Sequence, residues 1–238
     1  MSEYSGTENL EVMREAVKYN AYLSRLVRAH ASPTDRILDF GAGIGTFSLP
    51  LKRDGFDVSC VEPDTSQLQR IMENGVPGFP DLSCVPDGTF DYIFSLNVME
   101  HIEDDRATML ELASKLKPGG RLLIYVPAFQ VLFSSMDRAV GHFRRYSPSG
   151  LSRLAASADL LIQEVRCIDS IGFIASLVFK YFSNNKDGAL NRKALIAFDR
   201  FLFPVSLVVD LATKRLFGKN LLVVAVRPLD DGLAISIG

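Results

Sequence analysis

The order of apolar segments and breakers predicts an α/β fold built on a mostly parallel sheet. Short apolar runs alternate with helical patterns of 8 to 15 residues, the rhythm of βαβ units. Arg36–Phe40 leads into a glycine-rich turn and then a helical stretch. Phe90–Leu96, FDYIFSL, is apolar almost without interruption, as a strand buried on both faces must be.

Asn9 to His30 carries apolar residues at helical spacing (Leu10, Met13, Val17, Ala21, then Tyr22, Leu26, Val27) and reads as one or two amphipathic helices ended by Ser32-Pro33. Arg36–Phe40 is the first strand, Phe47–Arg53 a helix and Asp57–Val61 the second strand. Pro63-Asp64 opens a helix that Gly75 and Pro77 stop. After the Phe90–Leu96 strand come a helix from Glu103 to Leu116, a turn at Lys117–Gly120 and a strand at Arg121–Val126. Ser147-Pro148 caps a helix to Ser157, with Pro at its first position. Leu161–Ile168 and Leu221–Arg227 are the last strands. Between them, Ser170 to Lys219 is helical in pattern and breaks the alternation, so the 238 residues read as one domain with a helical insertion at 170–219.

A chain of this length buries roughly 70% of its unfolded surface and needs no disulfide or metal staple. Its net charge of −2 argues against nucleic-acid binding through a basic surface. Cys60, Cys84 and Cys167 lack CxxC spacing and read as small buried hydrophobes in a reducing cytoplasm. The N-terminus lacks a basic segment followed by an apolar core, and no apolar run reaches the roughly 20 residues of a bilayer span, so a soluble, cytoplasmic or at most peripheral protein is expected.

The strongest signal is Ile37–Gly45, ILDFGAGIG. Glycines at alternate positions after a buried strand let the backbone take unusual dihedrals and let a ligand approach closely. A dinucleotide site would want G-x-G-x-x-G, but Thr46 stands at the third glycine, and no P-loop Gly-Lys-Ser/Thr is present. Glu62 ends the second strand about 20 residues on, where a carboxylate can accept two ribose hydroxyls.

ILDFGAGIG, VEPD, FDYIFSLNVMEHI and LKPGGRLLIYVP, in this order from Asp35 to Pro127, resemble the successive motifs of class I S-adenosylmethionine-dependent methyltransferases. The resemblance implies a Rossmann-like, seven-stranded sheet of order 3-2-1-4-5-7-6 with only strand 7 antiparallel, N-terminal helices, and S-adenosylmethionine as cofactor. It implies that Asp39, Gly41, Ala42, Gly43 and Gly45 face the methionine part, Glu62 and Pro63 the ribose, and Leu96, Asn97 and Val98 line the site. Tyr19 on the N-terminal helix would close over it. The family's acid after strand 3 falls in a shortened segment that displaces Asp81 from this role, leaving the adenine to backbone contacts and apolar packing near Leu82 and Ser83, with Asp81 kept as a candidate. Two other classes stay open: a non-catalytic partner protein keeping the fold, and an NAD-dependent oxidoreductase, which the glycine spacing disfavours.

Methyl transfer needs alignment and exclusion of water, and a base only if the acceptor must lose a proton. Ligands of open α/β sheets sit beyond the carboxyl ends of the strands, so the acceptor wall falls in the loop Pro127 to Tyr146. Arg138, Arg144 and Arg145 there suit an anionic group, the alternative being a network that holds the loop. His142 is the first candidate base, with Tyr146 and His101 as further catalytic candidates. No acid pair has metal-ligand spacing, and no metal is expected. The acceptor is expected to be a small molecule, anionic or lipid-like, methylated on O or N.

The apolar insertion must cover the acceptor side, a second subunit in a homodimer, or a membrane surface. From Asp169 to Lys219 it carries eight basic residues against four acidic, a net +4 that suits anionic lipid.

Overall fold

The computed structural model describes residues 15–182 and 192–230. Asn9 to Arg14 of the expected N-terminal helices, and Lys186 and Asp187 of the insertion, lie outside them. The elements in chain order are α1 (Val17–Ala29), β1 (Arg36–Phe40), α2 (Ser48–Arg53), β2 (Asp57–Val61), α3 (Thr65–Glu73), β3 (Gly78–Phe79), β4 (Phe90–Leu96), α4 (Asp105–Lys115), β5 (Leu116–Pro127), α5 (Ser135–Ala139), α6 (Pro148–Ala156), β6 (Leu161–Ile168), α7 (Ser170–Phe182), α8 (Arg192–Ala197), a π-helical turn (Phe198–Leu202), α9 (Phe203–Thr213) and β7 (Asn220–Val226).

Seven strands form one sheet in the order β3-β2-β1-β4-β5-β7-β6. The pairs β3/β2, β2/β1, β1/β4 and β4/β5 are parallel, and β7 runs antiparallel to both β5 and β6. Strand periodicity divides the core into two layers. Leu38, Ile93, Leu122 and Ile124 face Met109, Leu112 and Leu151 on one side. Ile37, Val58, Tyr92, Phe94 and Leu123 face Leu23, Val27, Leu51 and Ile71 on the other. FDYIFSL is buried on both sides because β4 sits mid-sheet beneath both layers.

β3 is two residues long, too short to show any period-2 pattern. Two local expectations need correction. Lys117–Gly120 belongs to β5 rather than to a separate turn: the Gly119 N–H donates to the Arg227 carbonyl (2.9 Å) and Arg227 N–H to the Gly120 carbonyl (2.9 Å), which holds the segment against the chain beyond β7. Cys60 and Cys167 are buried, but Cys84 is exposed, in the short 3-10 turn Leu82–Cys84 after β3.

The helices between β6 and β7 are tied down by buried polar side chains. Asp210 on α9 accepts the Asp169 N–H (2.7 Å) and Ser170 N–H (2.9 Å), and Ser206 Oγ accepts the Ile171 N–H (2.9 Å), all at the start of α7. Asp199 in the π turn does the same for α1, accepting Lys18 N–H (2.9 Å) and Tyr19 N–H (2.8 Å). The first N–H groups of a helix have no intrahelical partner and attract negative charge, so each acid satisfies donors that burial would otherwise orphan. Asp210→Ala should therefore lower unfolding stability by about 3 kcal/mol, seen as a lower urea midpoint at unchanged slope.

Candidate functional site

The site lies at the carboxyl edge of the parallel strands. After β1 the chain turns through Gly41, Gly43 and Gly45, at φ of +79°, +55° and +77°. These are left-handed values that only glycine adopts without strain. A Cβ on Gly41 would also run into Val98, and one on Gly45 would come within 2.8 Å of Leu49 Cγ. The turn is bonded to β2: the Gly41 and buried Ala42 N–H groups both donate to the Val61 carbonyl (2.9 and 3.1 Å).

Glu62, buried at the end of β2, holds two backbone segments together. One carboxylate oxygen accepts the Gly43 N–H (2.7 Å), the other the Asp64 N–H (3.0 Å) across Pro63. Each oxygen keeps a lone pair, so the carboxylate can still receive a diol. Asp39, at 3% exposure, precedes the turn, and its Oδ2 has no hydrogen-bond partner. Burial pushes its carboxyl up to about 7, opposed by a Ser48 hydrogen bond and reinforced by Glu62. A buried carboxyl with one unpartnered oxygen, beside a turn of glycines at positive φ, fits a cationic ligand such as the methionyl part of S-adenosylmethionine.

Beyond β4, Leu96, Asn97 and Val98 are half-buried, and Asn97 takes a positive φ of 56°. Its N–H donates to the Tyr125 carbonyl (2.7 Å), and its Nδ2 reaches the Tyr19 hydroxyl at 3.4 Å. Tyr19 is thus brought from α1 to the end of β4, and burial pushes its hydroxyl up to about 12. Asp81 follows β3 and caps the next turn, accepting Ser83 N–H (2.8 Å) and Cys84 N–H (3.3 Å), with Leu82 buried beside it. The Ser83 hydrogen bond holds the Asp81 carboxyl below its usual range.

The loop after β5 folds over the turn after β4. The Phe143 N–H joins them by donating to the Glu100 carbonyl (2.8 Å), and Asp137 knits the loop itself: its Oδ1 accepts from Arg145 Nε (2.8 Å) and lies 2.9 Å from His142 Nδ1, while its Oδ2 closes a capping box on the Ser134 N–H (2.8 Å). Burial opposes ionisation there, but the His142 and Arg145 hydrogen bonds win and hold the carboxyl well below its ordinary value. Arg144 pairs with Asp105 (2.7 Å) and donates to the Glu103 carbonyl (2.6 Å). The buried Tyr146 hydroxyl lies 2.8 Å from Asp105 Oδ2 and 3.0 Å from the Met99 carbonyl, and burial with Asp105 raises its pKa, so it stays protonated. Arg138 is exposed, its guanidinium 5.8 Å from the centre of the Phe133 ring. Arg144, Arg145 and Tyr146 therefore serve the network that holds the loop, the alternative reading of these residues.

Glu100 is fully buried, and neither of its carboxylate oxygens has a partner. Its Oε1 lies 4.0 Å from His142 Nε2, and the His101 and His142 rings meet edge-to-face at 4.5 Å. Burial pushes Glu100 up to about 8. Burial of part of the ring, with His142 beside it, brings His101 down to about 4, although one edge of it reaches solvent. Glu100, His101 and His142 each offer one ligand atom within 4.8 Å of the others and could hold a metal ion. Sequence spacing had no means of pointing to this group, since 41 residues separate His142 from His101.

A Methyltransferase domain model matches residues 12–165, well over half of the chain. The chain belongs to the methyltransferase-domain family. With its sheet order and glycine turn it is a class I, S-adenosylmethionine-dependent member. Among curated relatives of this family member, the ubiquinone biosynthesis O-methyltransferase of Xanthomonas campestris pv. campestris (strain B100) is 26% identical over 158 residues, 57% of this chain and 66% of that one. The protein of the same name from Xanthomonas euvesicatoria pv. vesicatoria (strain 85-10) is 32% identical over 99 residues, 37% of this chain and 41% of that one. The match thus spans less than two thirds of these relatives' length. Solved structures share the fold: a chain of the complex between the Haloferax volcanii Trm112 methyltransferase activator and a methyltransferase (TM-score 0.62, 17% identity, 96% of this chain and 100% of that chain), and Haemonchus contortus phosphoethanolamine N-methyltransferase 2 with S-adenosyl-L-methionine (TM-score 0.60, 20% identity, 88% and 53%).

The raised Glu100 carboxyl has a measurable consequence. Between its ordinary 4.5 and about 8 the folded chain keeps a proton that the unfolded chain has released, so stability falls as pH rises through that window and levels off above it. Glu100→Gln should remove this slope, and its stability relative to the parent, from urea unfolding at a series of pH values, should climb up to about pH 8.

Proposed function

We propose that the protein transfers the methyl group of S-adenosylmethionine to a hydroxyl of a small-molecule acceptor, with His142 taking the proton. The observation that carries the reading is the Glu62 carboxylate bridging the Gly43 and Asp64 amides next to the orphaned Asp39 oxygen. S-adenosylmethionine, when bound, supplies an activated methyl on a sulfonium. Glu62 holds the ribose hydroxyls, and Asp39 with the glycine turn receives the charged methionyl end. Leu96, Asn97 and Val98 flank it, Tyr19 covers it, and Asp81 with Leu82 stands toward the adenine.

A hydroxyl acceptor is favoured by the His142–Asp137 pair. Asp137 fixes the imidazole through Nδ1, leaving Nε2 to accept a proton, as in other base–carboxylate pairs. The O-methyltransferase names of the curated relatives support the same choice. His101 borders that imidazole, and the exposed Arg138 is the arginine of this loop available to an anionic substituent of the acceptor. A small acceptor rather than a nucleic acid agrees with the net charge of −2. Three free thiols, one of them exposed, agree with a reducing cytoplasm.

Two measurements test this. S-adenosylhomocysteine should bind the folded protein in calorimetry, and about tenfold more tightly at pH 8 than at pH 6, because Asp39 loses its proton near pH 7 and its charge then faces the ligand's ammonium. Asp39→Asn should abolish that pH dependence, and absence of binding to folded protein would overturn the reading. In an assay of methyl transfer to a panel of phenols, His142→Ala should lower the rate by about 10²–10⁴-fold and leave S-adenosylhomocysteine affinity unchanged. An unchanged rate would remove His142 from the chemistry.

A further inference from the structure

We propose that the helix formed by α8, the π turn and α9 lies in the surface of an anionic lipid bilayer and attaches the protein there. This goes beyond methyl transfer and stands on different residues.

Apart from Phe203, which packs on Tyr19 and Tyr22, the inward side of this helix is unusually polar and its outward side apolar. Its acids, Asp199 and Asp210, and the Ser206 hydroxyl face inward, 5%, 7% and 0% exposed, and are consumed by the amide groups that open α1 and α7. At 3.6 residues per turn the opposite side presents Phe201, Val205 and Val208 in one row, flanked by Leu202 and Val209. All are exposed, from 38% at Val209 to 67% at Val208, and the neighbouring Leu211 reaches 75%. Scattered exposed aliphatics are ordinary, but a continuous stripe along a helix is not. α7, which packs against α9, adds the exposed Val178 and Phe179.

Charge selects what covers this stripe. Arg192 is paired with Glu15 (2.5 Å), and with both acids of the helix buried its other outward charges are positive: Lys193 and Arg200 before the apolar rows, Lys214 and Arg215 just after them. Arg200 lies over the Phe201 ring at 5.5 Å, and Lys180 at the end of α7 donates to the Val131 carbonyl (2.7 Å). A two-fold dimer through this face would set like charges against each other. An anionic bilayer complements them, since apolar side chains enter the acyl boundary while lysine and arginine reach the headgroups. No helix among the described residues is long and apolar enough to cross a membrane, so the helix lies in the surface rather than spanning it.

The test is flotation of the full-length protein with phosphatidylcholine vesicles with and without phosphatidylglycerol, at low and high salt. The expected result is binding to the anionic vesicles at low salt, at least tenfold weaker in high salt or without phosphatidylglycerol. Val208→Glu combined with Leu211→Glu, both at exposed positions, should lose binding at least tenfold while circular dichroism and thermal midpoint stay unchanged. Replacing Arg200, Lys214 and Arg215 by Gln should remove the preference for anionic vesicles. Failure of the parent protein to float with anionic vesicles, or equal flotation of the Val208/Leu211 variant, would overturn the proposal. So would a dimer in light scattering that this variant converts to monomer, which would make the stripe a self-interface. None of these readouts depends on methyl transfer, so their failure leaves the enzymatic reading standing.

Discussion

The site depends on one carboxylate accepting two backbone amides. Glu62 ends β2, yet its oxygens are bonded to Gly43 in the turn after β1 and to Asp64 at the start of α3. Those two junctions are the walls of the cleft at the sheet's carboxyl edge. Together with the Gly41 and Ala42 bonds to the Val61 carbonyl, that bridge fixes one wall against the other. Because the bonds use amides rather than side chains, they fix the backbone path and leave side chains free to meet a ligand.

The same device recurs away from the cleft. Asp199 caps α1, Asp210 caps α7, and Asp137 caps α5 while also gripping His142 and Arg145. In each case a buried acid satisfies N–H groups at a helix start, where the helix dipole favours negative charge. The outcome for the region between β6 and β7 is that its polar groups are spent inward. Apart from Phe203 and Leu207, the apolar residues of α9 are left toward the outside, which is the origin of its exposed stripe.

The cluster of Glu100, His101 and His142 is built on the opposite principle. Glu100 is buried without a hydrogen-bond partner, and burial moves it and His101 toward their neutral forms. Such groups weaken a fold rather than hold it.

Much of this could be read from the sequence. The parallel core follows from the alternation of strand and helix, the continuous apolar run of β4 and the glycines after Phe40, because local periodicity and forbidden dihedrals act over a few residues. Glu62 was legible for the same reason: its distance from the turn is set by one helix and one strand. The roles of the loop after β5 were not. Arg144 and Arg145 look alike in sequence, but one meets Asp105 and the other Asp137, partners decided only by how the loop closes. The two-residue β3 carries no pattern at all. Nor does composition tell that Asp199 and Asp210 point inward, since apolar and acidic residues share that helix. The sequence by itself determined the sheet and the cleft, whose causes are local. Only the tertiary structure decided which charges are neutralised within the fold and which surface remains apolar, because both depend on contacts between residues that are distant in the chain.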